Sequence, residues 1–140
     1  MPTIELTRVA GDFGFTATDE QGKEVRMDSS PESGGGDFGV RPMQLLLSAL
    51  AGCSAIDVIT ILKKQRQEVT DYKMTVKGER EQGKEPSLWK TISIHFKLYG
   101  NIEEDKAKKA VELSLNKYCS VAETLRLAGA TIVTKVTINE

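Results

Sequence analysis

The chain has 140 residues, of which 39% are hydrophobic and 28% charged, a composition typical of one globular domain. Its formal net charge of −1 and the lack of a basic cluster argue against binding to nucleic acid or to an anionic membrane. The N-terminus has neither the cationic nor the apolar segment of a secretory signal. We therefore expect a cytoplasmic protein, in which structural disulfides are rare.

The first part of the chain reads as a meander of three strands. They are predicted over 3–9, 13–18 and 23–27, and turn signals containing glycine separate them. Residues 28–39 are rich in glycine and serine. This loop is either a plain connector or a lid beside a site.

A long apolar helix is predicted from Pro42 to about Gln67, because proline suits the first turn and none follows within the segment. Leucine, alanine and isoleucine occupy nearly every side, which predicts a helix that is buried all round. The segment is too polar for a confident membrane span, because it contains Ser48, Ser54, Asp57 and Thr60.

Two amphipathic strands follow, around residues 72–76 and 91–98, with a charged hairpin loop between them. A capping box at Asn101 and Glu104 predicts a second helix, and another at Ser120 and Glu123 predicts a third. A last strand covers 130–138. The order βββ–α–ββ–αα–β predicts an α+β domain.

The first of the two cysteines, Cys53, lies inside the long helix directly after Gly52. Glycine at such a position costs about 1 kcal/mol relative to alanine, which indicates a close approach by another group. Asp57 lies one turn further on and shares a face with Cys53. Asp57 either accepts a hydrogen bond near the thiol or marks where the helix turns toward solvent.

The second cysteine, Cys119, precedes the predicted start of the third helix. The positive end of a helix favours a thiolate, and Lys117 is near enough in sequence to add to this effect. The alternative is a buried, unreactive residue. His95 falls on the polar face of its strand and is predicted to be solvated. Two cysteines and one histidine fall short of a structural zinc site, so we expect no metal or other cofactor.

Two runs of sequence resemble the OsmC/Ohr family. Residues 41–58 are similar to its central helix, in which a proline is followed by a Leu/Ala-rich segment that ends in Ala-Gly-Cys. Residues 117–125 are similar to its second cysteine segment. The resemblance implies a single OsmC-like domain over residues 1–140, with antiparallel sheets around a long buried central helix. It also implies an intertwined homodimer whose two sites use residues of both chains.

The resemblance further implies a dithiol-dependent reductase of organic hydroperoxides that protects against oxidative and osmotic stress. Cys53 would attack the peroxide and become a sulfenic acid, and Cys119 would then close a disulfide that a dithiol reduces. The chain departs from Ohr proper, because Met43 replaces a glutamate and no arginine lies between Arg8 and Arg26. It looks closer to the YhfA-like branch. The alternative is a non-enzymatic protein that senses redox state or binds a small apolar ligand.

Overall fold

The structure is a computed structural model that describes all residues, Met1–Glu140. Its contacts divide the chain into two compact units, Met1–Leu46 and Leu47–Glu140. Helix α1 (Pro42–Lys64) begins in the first unit and continues through the second. That residues 1–140 form a single domain stays a prediction.

The first unit is built on a three-stranded antiparallel sheet of β1 (Glu5–Ala10), β2 (Gly14–Thr18) and β3 (Glu24–Met27). The sheet order is β1-β2-β3, which confirms the predicted meander. A short 3-10 helix, Pro31–Ser33, interrupts the loop that follows.

The loop after β3 is organised around Asp28, a residue that sequence analysis did not single out. The Asp28 side chain is buried, and its carboxylate accepts hydrogen bonds from the backbone N–H groups of Ser29, Gly36 and Phe38. Burial favours the neutral form of the carboxyl group, but these three bonds outweigh it and lower the pKa of Asp28. The glycine-rich segment therefore has a fixed internal scaffold.

The second unit contains most of α1 and all later elements. They are β4 (Glu68–Arg80), β5 (Trp89–Asn101), α2 (Glu104–Leu113), a π-helix (Ser114–Tyr118), α3 (Ser120–Leu127) and β6 (Thr131–Ile138). The α+β class and the order of helices and strands are as predicted. The capping box at Asn101 is wrong, because Asn101 ends β5 and Glu103 is the N-cap of α2, without a side-chain cap bond.

The second sheet has the order β4-β5-β6, with β5 at its centre. The hairpin of β4 and β5 is antiparallel as expected, but β6 pairs with β5 in parallel. The prediction of antiparallel sheets is therefore wrong for this pair. The physical reason is the connection, because α2, the π-helix and α3 carry the chain back so that β6 runs in the direction of β5.

One face of this sheet carries the core of the second unit. The buried side chains of β5 are Ile92, Ile94, Phe96 and Leu98, and burial of each stabilises the fold by about 1.5–3 kcal/mol. They join one apolar cluster with residues of α1, α2 and α3. Cys119 belongs to this cluster and Cys53 packs against it, so the core fixes the positions of both cysteines.

Within the single chain, α1 is buried along one stripe only. That stripe consists of Leu50, Ser54, Val58 and Leu62. Ile56 and Ile59 are 68% and 41% exposed. The expectation of burial all round is therefore wrong for the chain alone, because its own sheet and helices cover only one side of α1.

Helix α1 is long enough and apolar enough to cross a membrane, judged by length and composition alone. The mean hydropathy of its most apolar window is 2.1, and 22% of that window is buried. Core helices pass the same test, and the buried stripe of α1 does pack within the second unit. That the protein has no membrane partner stays a prediction.

Candidate active site

Helix α1 presents the first two groups of the site. Cys53 and Asp57 are spaced by one helical turn, so their side chains project from the same face, and both are half-buried. This placement confirms that the two residues share a face. Gly52 is exposed, and a Cβ atom added there would meet no atom of the chain within 4 Å. Nothing in this chain makes the close approach that Gly52 was expected to permit.

The π-helix and α3 position the third group, Cys119. Its N–H donates to the carbonyl oxygen of Ser114 at 2.7 Å, which closes the wide turn of the π-helix. The chain then extends, and Cys119 itself becomes the N-cap of α3, where its Sγ accepts a hydrogen bond from the N–H of Ala122 at 3.4 Å. The prediction that Ser120 is the N-cap is wrong, because the thiol takes that place.

The fold brings these groups together. The sulfur atoms of Cys53 and Cys119 and a carboxylate oxygen of Asp57 all lie within 4.8 Å of one another, and both cysteines are free thiols. The two predicted site residues thus lie side by side, and that they are catalytic stays a prediction. Asp57 joins them, which favours the interpretation that its carboxylate acts beside the thiols over the one in which it marks a solvent-facing turn.

The Cys119 thiol is held in its protonated form. Its pKa is raised from the usual 9.0 to about 11, mainly by burial; the N–H of Ala122, which lowers the pKa, and the neighbouring Cys53 thiol, which raises it, have smaller effects. The sequence-based expectation of a helix-stabilised thiolate is therefore wrong. Lys117 does not contribute, because its Nζ lies 5.3 Å from the ring centre of Tyr118 and no cation acts on the Cys119 thiol.

Ser114 is a site residue that sequence reasoning missed. Its side chain is completely buried, and its Oγ donates to Oδ2 of Asp57 at 2.9 Å. Because its carbonyl oxygen also accepts from Cys119, this one residue orients two of the three groups. A signal existed in the sequence: Ser114 continues the apolar stripe of α2 at helical spacing from Ala110 and Val111, so a polar side chain there faces inward.

His95 takes no part in the site. It lies on the opposite face of the sheet from the core residues of β5, and its Nε2 is 2.9 Å from Oγ1 of Thr137. Partial burial lowers its pKa, and the positive charges of Lys135 and Lys97 lower it further. The prediction of a polar-face position is confirmed, although the ring is half-buried and hydrogen-bonded instead of freely solvated.

Two clefts open onto the site. One has a volume of about 410 Å³ and is lined by Asp57, Thr60, Ile61, Lys64, Gln65, Leu113 and Tyr118. The other has a volume of about 370 Å³ and runs along Cys119 and the end of the π-helix. Tyr118, half-exposed, borders both clefts.

Similarity to known proteins identifies the family of the chain. Residues 34–135 match the family model described as OsmC-like protein. The chain is 40% identical to Protein YhfA of Escherichia coli strain K12 over 115 residues, which cover 81% of this chain and 82% of YhfA. This relative agrees with the resemblance to the YhfA-like branch.

Solved structures show the same fold. A hypothetical protein from Aquifex aeolicus VF5 is 33% identical and superposes with a TM-score of 0.81, covering 100% of this chain and 98% of its own. An organic hydroperoxide resistance protein OsmC from Legionella pneumophila, at 16% identity, superposes with a TM-score of 0.73, covering 98% of this chain and 96% of its own. By its sequence and its fold, the chain belongs to the OsmC-like protein family.

Proposed function

We propose that this protein is a dithiol-dependent reductase of organic hydroperoxides that works in the cytoplasm and protects against oxidative and osmotic stress. The observation that carries the proposal is the meeting of two free thiols, from distant parts of the chain, within 4.8 Å of each other. Family members named for organic hydroperoxide resistance share the fold. The proposal transfers their named role to this pair of cysteines.

Accessibility supports different roles for the two thiols. Cys53 is half-buried, whereas Cys119 is 3% exposed and protonated at neutral pH, so Cys53 is the better attacking group. In this cycle the Cys53 thiolate attacks the O–O bond, forms a sulfenic acid and releases the alcohol, which takes up a proton. Cys119 then attacks the oxidised sulfur, closing a disulfide and releasing water. A dithiol supplies the two electrons and two protons that restore both thiols.

A positive charge near the Cys53 sulfur would stabilise the thiolate, but the second unit does not supply one beside the two thiols. No lysine or arginine acts on Cys119, and the groups within 4.8 Å of its sulfur are the Cys53 thiol and the Asp57 carboxylate. We place the missing cation on a partner subunit of a homodimer. The exposed isoleucines of α1, Ile56 and Ile59, support such a partner, because a second α1 would cover them.

The cleft beside Asp57 suits a small organic hydroperoxide. Ile61, Leu113 and the ring of Tyr118 offer apolar surface, and the volume of about 410 Å³ accommodates an alkyl group of several carbons. The hydroperoxide end would then point toward Cys53 on the same face of α1.

The test is turnover of tert-butyl hydroperoxide by the purified protein with a dithiol as reductant. Wild type should turn over, Cys53→Ser should be inactive, and Cys119→Ser should stop at a sulfenic acid that a dimedone-type reagent traps. Ser120→Ala, an exposed neighbour of Cys119, is the matched control and should keep full activity. Wild type no faster than Cys53→Ser across several hydroperoxides would reject the proposal.

The second candidate is a redox sensor on the same fold. The raised pKa of the buried Cys119 favours it, because a thiol that stays protonated is oxidised slowly. A sensor would form one disulfide per chain with peroxide but would not turn over when the dithiol is supplied. The same assay therefore separates the two functions.

A further inference from the structure

The thiols and the carboxylate of the site are also a set of metal ligands. Thiolate sulfur and carboxylate oxygen both bind zinc-like cations, with bonds of about 2.3 Å and 2.0–2.2 Å. In a tetrahedral site these bonds place two sulfurs about 3.8 Å apart. Cys53, Cys119 and Asp57 hold their ligand atoms within 4.8 Å of one another, so shifts of about 1 Å would complete the geometry.

A buried serine holds two of these ligands in place before any metal arrives. The Oγ of Ser114 donates to Oδ2 of Asp57 at 2.9 Å, and the carbonyl oxygen of Ser114 accepts from the N–H of Cys119 at 2.7 Å. Ser114 is completely buried, so neither bond competes with water. Such support of a ligating carboxylate is typical of metal sites and fixes which oxygen faces the ion.

The charge of the site also favours a cation. Ionisation of all three groups would place three negative charges together, and no lysine or arginine of the chain acts on Cys119 to balance them. A divalent ion would supply that balance and would take the place that the proposed function gives to a cation of the partner subunit. Binding would replace the two thiol protons, which are released to solvent, without any change in oxidation state.

We propose that the reduced protein binds one thiophilic divalent cation of the zinc type per chain, through Cys53, Cys119 and Asp57, with the fourth position open to water. Three protein ligands and one exchangeable position are the pattern of a reactive zinc site and not of a structural one. Oxidation of the two cysteines to a disulfide, with a hydroperoxide accepting the two electrons, would remove both sulfur ligands and release the ion. The binding itself does not depend on peroxidase turnover.

The experiment is a titration of the reduced full-length protein with Co²⁺ in the absence of oxygen. One equivalent should produce a thiolate-to-cobalt charge-transfer band together with the visible bands of tetrahedral Co²⁺. Zn²⁺ should then displace the cobalt. Cys53→Ser and Cys119→Ser should abolish the charge-transfer band or reduce it to that of a single thiolate.

Asp57→Asn and Ser114→Ala separate this site from a simple pair of thiols. Each should weaken Co²⁺ binding by about 10–100-fold, because one removes a ligand charge and the other its orienting bond. Asp105→Asn, an exposed acid on α2, is the matched control and should bind as wild type does. Circular dichroism at matched concentrations shows whether each variant is folded.

A measurement on the wild type avoids reliance on folded variants. One equivalent of Zn²⁺ should protect both cysteines from a chromogenic thiol reagent at least tenfold. Absence of protection, an octahedral cobalt spectrum without the charge-transfer band, or binding that survives loss of both cysteines would each overturn the proposal.

Discussion

The pKa of Cys119 makes a quantitative prediction about folding stability. The folded protein raises this pKa from 9.0 to about 11, mainly by burial, so the folded state holds the thiol proton more tightly than the unfolded chain does. The corresponding stabilisation is fully present below the unfolded pKa of 9.0 and is lost as the pH rises toward the folded value. The reduced protein should therefore become less stable in alkaline solution.

The size of the effect follows from linkage between protonation and folding. Between about pH 8 and about pH 10, a shift of this size removes about 1.3 kcal/mol of stability. Water in the cleft along Cys119 weakens the effect, so we expect about 1 kcal/mol. With a urea m-value of about 2 kcal/mol per molar, the unfolding midpoint should fall by about 0.5 M.

The assay compares urea unfolding of wild type and Cys119→Ala at both pH values, with a reductant present throughout. Alanine removes the titrating group but keeps a small apolar side chain in the cluster. Other groups, such as the half-buried Tyr72, titrate in both proteins and cancel in the difference. The difference in midpoint between the two proteins should therefore change by about 0.5 M across this range.

Two results would refute this reasoning. A difference that stays constant with pH would mean that burial does not shift the thiol pKa. If wild type instead gains stability relative to Cys119→Ala as the pH rises, the start of α3 stabilises the thiolate, as the sequence alone suggested.

Three further predictions test other parts of the structure. Ser114→Ala should lower the unfolding free energy by about 1–2 kcal/mol by removing the donor to Asp57, whereas Thr124→Ala, which deletes an exposed hydroxyl, should change it by less than about 0.5 kcal/mol. Gly52→Ala should raise Tm by about 4 °C, because alanine stabilises a helix by about 1 kcal/mol relative to glycine and its Cβ would meet no atom of the chain. A lower Tm together with loss of the dimer in gel filtration would instead mean that a second copy of the chain packs against Gly52. Asp28→Asn should reduce protection of the Gly36 and Phe38 amides from hydrogen exchange, whereas Asp37→Asn should leave it unchanged.

Most of the fold was predictable because it follows local periodicity. The alternation of Ile92 to Leu98 identified β5, and the proline at position 42 located the start of α1 correctly. The parallel pairing of β6 was not predictable, since strand direction depends on how the intervening helices pack. Likewise, the apolar character of α1 indicated burial but not which sides its own chain would cover.

The site was predictable only in part. The pairing of Cys53 with Cys119 came from a family resemblance, and the structure places them together. The spacing of Ser114 from Ala110 and Val111 indicated an inward-facing side chain, but its contacts with Asp57 and Cys119 were not predicted, because a π-helix leaves no clear pattern in sequence. The pKa of Cys119 was predicted with the wrong sign, because its sequence position revealed the helix start but not the burial that outweighs it.

The π-helix makes the site sensitive to how the chain is wound as well as to residue identity. Its turn from Ser114 to Cys119 contains one residue more than an α-helical turn would. If the same residues relaxed into a regular α-helix, in which each residue rotates by about 100° around the axis, Cys119 would lie about one residue's rotation beyond its present place. The sulfur of Cys119 would then point away from α1, although no residue of the site had changed. Substitutions within this turn that favour a regular α-helix would therefore separate the two cysteines without altering either of them.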